Sequence, residues 1–290
     1  MDICHTTKEL RLALTAQRMA GKTIAVVPTM GNLHAGHIKL VSTAVTLADI
    51  VVATIFVNPL QFGRHEDLDT YPRTPVADID KLTEAGCHYL FTPPVSEIYP
   101  NGLEQHTVVS VPGISERHCG ASRPGHFDGV ATVVCKLFNL VQPDHAIFGL
   151  KDYQQFQVIR KMTEDLCFDI RLTGVATERD GQGLALSSRN GYLSTAEKNT
   201  ALVLSRTLRE TAAAIRQGSR NFRELEKAAC ANFREAGIKP DYFTICDALT
   251  LEPADPSGPG AEEKSTHRLV ILLAAFVGST RLIDNIEIEL

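Results

Sequence analysis

The sequence contains no tryptophan, and Phe and Tyr together make up only 6% of its 290 residues. That leaves few side chains on which nucleic-acid bases could stack. It also lacks a positive field. The formal net charge is −5, with 29 Lys and Arg against 34 Asp and Glu, so a tRNA or DNA partner is disfavoured. No apolar run approaches the roughly 18 to 20 residues of a membrane helix, since the longest spans 269–277. No basic-then-apolar leader opens the chain, and the expected location is the cytoplasm. The seven cysteines are odd in number, scattered and without a C-x-x-C pair, which argues against a disulfide framework or a zinc site. No G-x-G-x-x-G follows a strand pattern, so a dinucleotide-binding dehydrogenase is weakly supported. No internal repeat is visible.

What remains is ordinary globular composition, 44% hydrophobic and 22% charged, at a length that fits one large domain or two. Through the first two thirds, helical and strand-like periodicities alternate. Residues 7–20 read as an amphipathic helix, 22–28 as a strand, 36–48 as a helix and 50–57 as a strand buried on both faces. Helix over 76–85, strand over 88–92, helix over 129–140, strand over 145–148 and helix over 152–167 continue the pattern. This alternation predicts a doubly wound, Rossmann-like α/β domain over 1–177. The last third predicts a smaller α+β lid domain over 178–290, with helices over 195–217 and 221–236 and strands over 241–248, 268–275 and 285–290. Residues 252–267, rich in Pro, Gly, Ser and charge, read as an exposed loop.

The first chemical signal is Pro28-Thr-Met-Gly-Asn-Leu-His-Ala-Gly-His37, where a strand pattern gives way to a helix pattern. A helix start offers free N–H groups and a favourable dipole to an anion. Gly31 and Gly36 fit G-x-x-x-x-G, but His37 and Ile38 stand where a P-loop needs Lys and Ser or Thr, so the Walker reading fails. His34 and His37 share one helical face and can both donate to phosphate oxygens that gain charge during adenylyl transfer. Local capping and packing is the competing reading. Zinc binding lacks a third ligand nearby.

Pro28 to His37 resembles the H-x-G-H segment of the nucleotidyltransferase superfamily that includes class I aminoacyl-tRNA synthetases, and in its fuller form that of the pantoate–β-alanine ligase family. Further blocks agree in order: Ile55-Phe-Val-Asn-Pro-Leu-Gln-Phe62, Tyr71-Pro-Arg73, Ser122-Arg-Pro-Gly-His-Phe127, Lys136-Leu-Phe-Asn-Leu-Val-Gln-Pro143, Phe148-Gly-Leu-Lys-Asp-Tyr-Gln-Gln155 and Leu184-Ala-Leu-Ser-Ser-Arg-Asn190. The resemblance covers essentially the whole chain. It implies ATP-dependent condensation of pantoate with β-alanine through a pantoyl adenylate, with release of pyrophosphate and then AMP. Another H-x-G-H adenylyl- or cytidylyltransferase acting on a small substrate is the alternative.

The resemblance also implies roles. Met30, Gly31, Asn32, Leu33, His34, Ala35, Gly36 and His37 would contact ATP, with His37 as proton donor or transition-state stabiliser. Gln61 and Gln155 would hold pantoate by their amides, and Gln61 would lie near β-alanine. Gly149, Leu150, Lys151 and Asp152 resemble the family's nucleotide-binding stretch. Lys151 would reach phosphate, while Asp152 is equally an N-cap. Leu186, Ser187, Ser188 and Arg189 take the place of the K-M-S-K-S loop of the related synthetases, where arginine's planar, always charged fork suits phosphate. A serine-rich turn is the alternative there. The catalytic set is then His37, His34, Lys151, Ser187, Ser188 and Arg189. Magnesium is expected with ATP. Asp78 is a possible metal contact, although a carboxylate on a polar helix face is usually solvated. The family further implies a homodimer, and charge and hydropathy give no expectation of a nucleic-acid or membrane partner. Leu150, Glu178 and Asp128 depart from the family pattern, and Glu178 could serve adenine only through its backbone.

Overall fold

The computed structural model describes residues 1–63, 66–254 and 268–290. The chain divides into two compact units. One comprises Met1–Leu150 and Gln155–Ala176, the other Lys151–Gln154 and Thr177–Leu290. Lys151–Gln154, assigned to the first domain from sequence, thus groups with the second unit.

The first unit carries a six-stranded sheet with all pairings parallel. Its elements are β1 (Asp2–Cys4), α1 (Thr7–Met19), β2 (Ile24–Thr29), α2 (Ala35–Leu47), β3 (Ile50–Ile55), α3 (Pro75–Glu84), β4 (Tyr89–Phe91), α4 (Val95–Ile98), α5 (Cys119–Ser122), α6 (His126–Val141), β5 (His145–Gly149), α7 (Tyr153–Asp165) and β6 (Arg171–Val175). Strand order is β1-β4-β3-β2-β5-β6. Ile24 to Val27 and Val51 to Ala53 are fully buried, as expected for inner strands covered by helices on both faces. Winding runs from β2 through β3 to β4, then returns to place β5 on the other side of β2. That reversal makes a topological switch point at the carboxyl ends of β2 and β5, where open α/β sheets bind ligands.

The strand and helix patterns read from sequence are present here with ends shifted by a few residues, whereas β1, β6, α4 and α5 leave no readable pattern. The helix expected from 152 begins at Tyr153, because Leu150–Asp152 forms a 3₁₀ turn. Leu150 is explained by packing. A Cβ on Gly174 of β6 would lie 2.6 Å from Leu150 Cδ2, so the leucine covers that glycine closely.

The second unit contains α8 (Thr195–Arg216), α9 (Phe222–Glu235) and an antiparallel sheet of β7 (Lys239–Asp247), β8 (Arg268–Val277) and β9 (Thr280–Glu289), in that order. Leu204, Leu208, Ile215 and Phe233 from the helices form one core with Phe243, Ile245, Ile271 and Leu273 from the strands. β9 starts five residues before its expected position, since its buried Asp284 and Asn285 disguise the strand. Of the 252–267 loop, residues 255–267 lie outside the described residues. All seven cysteines are free, and burial pushes the Cys87 thiol up to about 11, which keeps it protonated and inert near neutrality. Among the described residues no helix is long and apolar enough to cross a membrane.

Candidate active site

The Pro28 to His37 segment leaves β2 at the switch point and enters α2. Its turn needs two consecutive left-handed residues, Gly31 at φ 84° and Asn32 at φ 50°. Glycine is required at the first for space as well, because a Cβ there would stand 3.1 Å from Ile55 Cγ2 and 3.2 Å from Asp78 Oδ2. Backbone groups through the turn find side-chain partners. Gly31 N–H donates to Thr29 Oγ1 at 3.3 Å, Asn32 N–H to Asp78 Oδ2 at 2.9 Å and Leu33 N–H to Asp78 Oδ1 at 2.8 Å. Lys81 Nζ donates to the Leu33 carbonyl at 2.7 Å, and Thr74 Oγ1 to Asp78 Oδ1 at 3.1 Å.

Asp78 is therefore not a solvated carboxylate. It is 1% exposed, and α3 uses it with Lys81 to grip the turn from one side. With both oxygens accepting N–H and O–H donors, its geometry favours holding the loop over ligating a metal directly. Asp78→Ala strips the acceptor from a buried N–H group, Leu33, at about 1–3 kcal/mol, and from the part-buried one of Asn32. The expected result is a lower unfolding midpoint in denaturant and a lower turnover that added magnesium does not restore. Rescue by magnesium would return Asp78 to the metal.

His34 is the N-cap of α2. Its Nδ1 accepts from Gly36 N–H at 3.2 Å, and His37 Nδ1 accepts from His34 N–H at 3.3 Å. Two imidazoles thus perform the reciprocal capping usually done by Ser or Thr and Glu. A neutral ring that accepts at Nδ1 carries its proton at Nε2, so this capping is the arrangement made by the Nε2–H tautomer of a neutral ring. The ring centroids are 4.1 Å apart with a 42° tilt. Capping and phosphate donation, competing explanations at the level of sequence, are compatible because they use opposite nitrogens.

Gln61 closes a 3₁₀ turn, Pro59–Gln61, beyond the carboxyl end of β3. Its Nε2 lies 3.0 Å from Met30 Sδ, which brings it beside the histidine turn, and its Oε1 accepts from Asn58 Nδ2 at 3.3 Å. Both ends of the amide are thus engaged inside the protein, the oxygen by Asn58 Nδ2 and the nitrogen as a donor to Met30 Sδ. Its backbone carbonyl is met by His126 Nδ1 at 2.7 Å and Arg123 Nη2 at 3.2 Å. Arg123 also pairs with Glu66, Nε to Oε1 at 2.6 Å. Burial pushes the Glu66 carboxyl up, but the Arg123 hydrogen bond and charge outweigh it and hold it below its ordinary value. Asp128, in the first turn of α6, has the sign that the helix dipole favours there.

Gly129 lets α6 pass against this turn. A Cβ there would lie 2.4 Å from the Leu60 carbonyl oxygen and 2.8 Å from Gln61 N. Asn58, 1% exposed, ties the same contact by donating to Gly129 O at 3.0 Å. Sequence reasoning does not single out Asn58, Gly129, Lys81 or Tyr99. Asn58 stands within a quoted block and carries the signal of an Asx turn before Pro59. The others act through long-range contacts that leave no local pattern.

Gly149 ends β5 beside β2, and Leu150 follows it. Gln155, in the first turn of α7, belongs to the first unit and is half-buried. In the second unit, the Lys151 carbonyl accepts from Asn285 Nδ2 at 2.9 Å, while Asp152 is exposed. The Glu178 carbonyl accepts from Leu186 N–H at 2.9 Å, and Arg179 and Ala185 form a bridge between them, so the glycine-rich stretch is a hydrogen-bonded hairpin. Arg179 anchors it with a bidentate pair to Asp284 at 2.7 and 2.8 Å. Ser187 then caps a 3₁₀ turn, Ser188–Tyr192, its Oγ accepting from Arg189 N–H at 3.2 Å.

The model of the pantoate-beta-alanine ligase family matches residues 2–287. The chain belongs to this family. Pantothenate synthetase of Marinobacter nauticus is 55% identical over 288 residues, covering 99% of each chain. The crystal structure of pantothenate synthetase from Thermus thermophilus superposes with a TM-score of 0.89 at 43% identity and 99% coverage of both chains. That of the ligase from Francisella tularensis, complexed with beta-gamma ATP and β-alanine, gives 0.79 at 31% identity, covering 99% of this chain and 97% of that one. Family members thus share the six-stranded parallel sheet with this chain, and the histidine turn stands at its switch point.

Proposed function

We propose that the protein condenses pantoate with β-alanine in an ATP-dependent, two-step reaction. In the first step a pantoate carboxylate oxygen attacks the α-phosphorus of ATP, the bond to the bridging oxygen breaks, and pyrophosphate leaves. In the second the β-alanine amine attacks the acyl carbon, AMP departs with the electron pair, and the nitrogen loses its extra proton. Activation comes first because joining a carboxylate to an amine in water is uphill.

The observation that carries this reading is the pair of His34 and His37 rings, each accepting a main-chain N–H at Nδ1, beside the Gln61 amide at the carboxyl ends of β2 and β3. Nε2–H donors on those rings suit the charge that grows on α-phosphate oxygens in the transition state. Gln61 and Gln155 hold pantoate, and Gln61 also borders the amine. Met30 through His37, Gly149 through Asp152 and Leu186 line the nucleotide, and Glu178 serves adenine only through its backbone. Lys151, Ser187, Ser188 and Arg189 meet the phosphates. Among the described residues no group of three His, Cys, Asp or Glu side chains stands where it could hold a cation. The residues present fit magnesium carried in on the triphosphate, where it neutralises phosphate charge. The same reading has the enzyme working as a homodimer in the cytoplasm, which sedimentation and fractionation test.

Pantoate with ATP, in the absence of β-alanine, is expected to support exchange of labelled pyrophosphate into ATP. Folded protein that makes no exchange would overturn the adenylate route, and exchange with other small acids but not pantoate would assign a different nucleotidyl transfer.

A further inference from the structure

Tyr99 follows α4 and is 2% exposed, far in sequence from every residue so far assigned to the chemistry. Its ring is held on several sides. Phe56 lies 6.2 Å away centroid to centroid, His106 packs edge-on at 5.5 Å, and Lys136 Nζ stands 5.3 Å from the centroid. Lys136 is itself fixed by donating to the Ile98 carbonyl at 3.0 Å. So held, the hydroxyl donates to Asn58 Oδ1 at 2.8 Å. Burial pushes the phenol up from its ordinary value, so it remains a proton donor throughout the working range of pH.

The direction of that bond matters. An amide has a donor end and an acceptor end, and the hydroxyl and Leu60 N–H, at 3.4 Å, both claim the oxygen of Asn58. Its nitrogen is left for Gly129 O and for Gln61 Oε1. With its oxygen taken, Gln61 shows Nε2 toward Met30 and the histidine turn. The polarity of the Gln61 amide thus follows from that of Asn58, which the Tyr99 hydroxyl sets at its shortest contact together with Leu60 N–H and Gly129 O.

We propose that Tyr99 is a positioning residue that acts through Asn58 to present Gln61 as a hydrogen-bond donor, selecting an oxygen acceptor, the carboxylate or hydroxyl of the acid substrate. This rests on the reading that Gln61 holds pantoate. Tyr99→Phe keeps the ring and its neighbours and removes only the hydroxyl. It should weaken pantoate binding about fivefold to tenfold, the scale of one hydrogen bond, with ATP binding held within about twofold. In the Gln61→Ala background the same substitution should change pantoate binding no further, since both act on one contact. His106→Ala, which frees one edge of the ring but keeps the hydroxyl, should show the same selectivity in smaller measure.

Calorimetric titration of wild type and these variants with pantoate and with a non-hydrolysable ATP decides the matter. Wild-type pantoate affinity in Tyr99→Phe, equal loss for both ligands, or additive effects of Tyr99→Phe and Gln61→Ala would each overturn the relay. Should Tyr99→Phe not fold, unchanged pantoate affinity in His106→Ala overturns it. If wild type binds ATP but no pantoate, both the relay and the proposed function fail, whereas an unselective Tyr99→Phe beside a pantoate-binding wild type defeats the relay alone.

Discussion

His37→Ala is expected to lower turnover by about 10²- to 10³-fold, the range for removing one preorganised donor, while ATP binding stays within about threefold. The asymmetry follows from the place that the proposed reading gives the donor. An Nε2–H that strengthens its bond only as charge gathers on the α-phosphate contributes little to the ground state. Because His37 Nδ1 also accepts from His34 N–H, alanine removes a cap together with a donor, and two further substitutions separate them. Asn can place an oxygen near the position of Nδ1 and restore the cap; Gln can place an N–H near Nε2 and restore the donor. Turnover recovered by Gln and not by Asn assigns the loss to the reacting phosphate. Recovery by Asn alone, or equal losses in turnover and ATP affinity, would reduce His37 to a structural cap or a ground-state ligand.

Gly129→Ala is expected to lower kcat/KM by about 10²-fold, the cost of misplacing by about 1 Å the Gln61 turn to which the proposed function gives pantoate. The new methyl would stand 2.4 Å from the Leu60 carbonyl oxygen, and neither partner is a flexible side-chain end that could swing away. Either α6 or the Pro59–Gln61 turn must move. Overpacking of this kind costs about 1–3 kcal/mol in stability, so the variant should still fold and the damage should show in pantoate affinity and turnover. Wild-type kinetics with a lowered melting temperature would mean that α6 yields and the turn does not.

Periodicity reveals the doubly wound sheet because its inner strands are continuous apolar runs between amphipathic helices. β6 escapes it because Arg171-Leu-Thr-Gly-Val175 has no fully buried residue and a glycine near its end. β9 reads too short because Asp284 and Asn285, polar yet buried, serve Arg179 and Lys151 inside a strand. The histidine pair and the glutamines are legible as types at a spacing. The orientations of the histidines and of Gln61 are not, since these depend on which ring nitrogen or amide end the fold has already engaged. Asp78 shows the same limit. In the sequence it is a carboxylate that could hold a metal or face water, and only the arrival of the Asn32 and Leu33 amides gives it its task.

The order of emergence from the ribosome adds a constraint. All six strands of the parallel sheet have been synthesised once Val175 has been made, but Lys151–Gln154 belongs with the second unit. The Lys151 carbonyl waits for Asn285, 134 residues later, and the Tyr153 hydroxyl for the Ala248 carbonyl and Glu287. A nascent chain holding a finished sheet would therefore still carry an unsettled four-residue stretch between Leu150 and Gln155. Lys151, to which the proposed reading gives a phosphate, would be the last part of this stretch to find its setting, and a fragment cut at Ala176 would keep that lysine without its support.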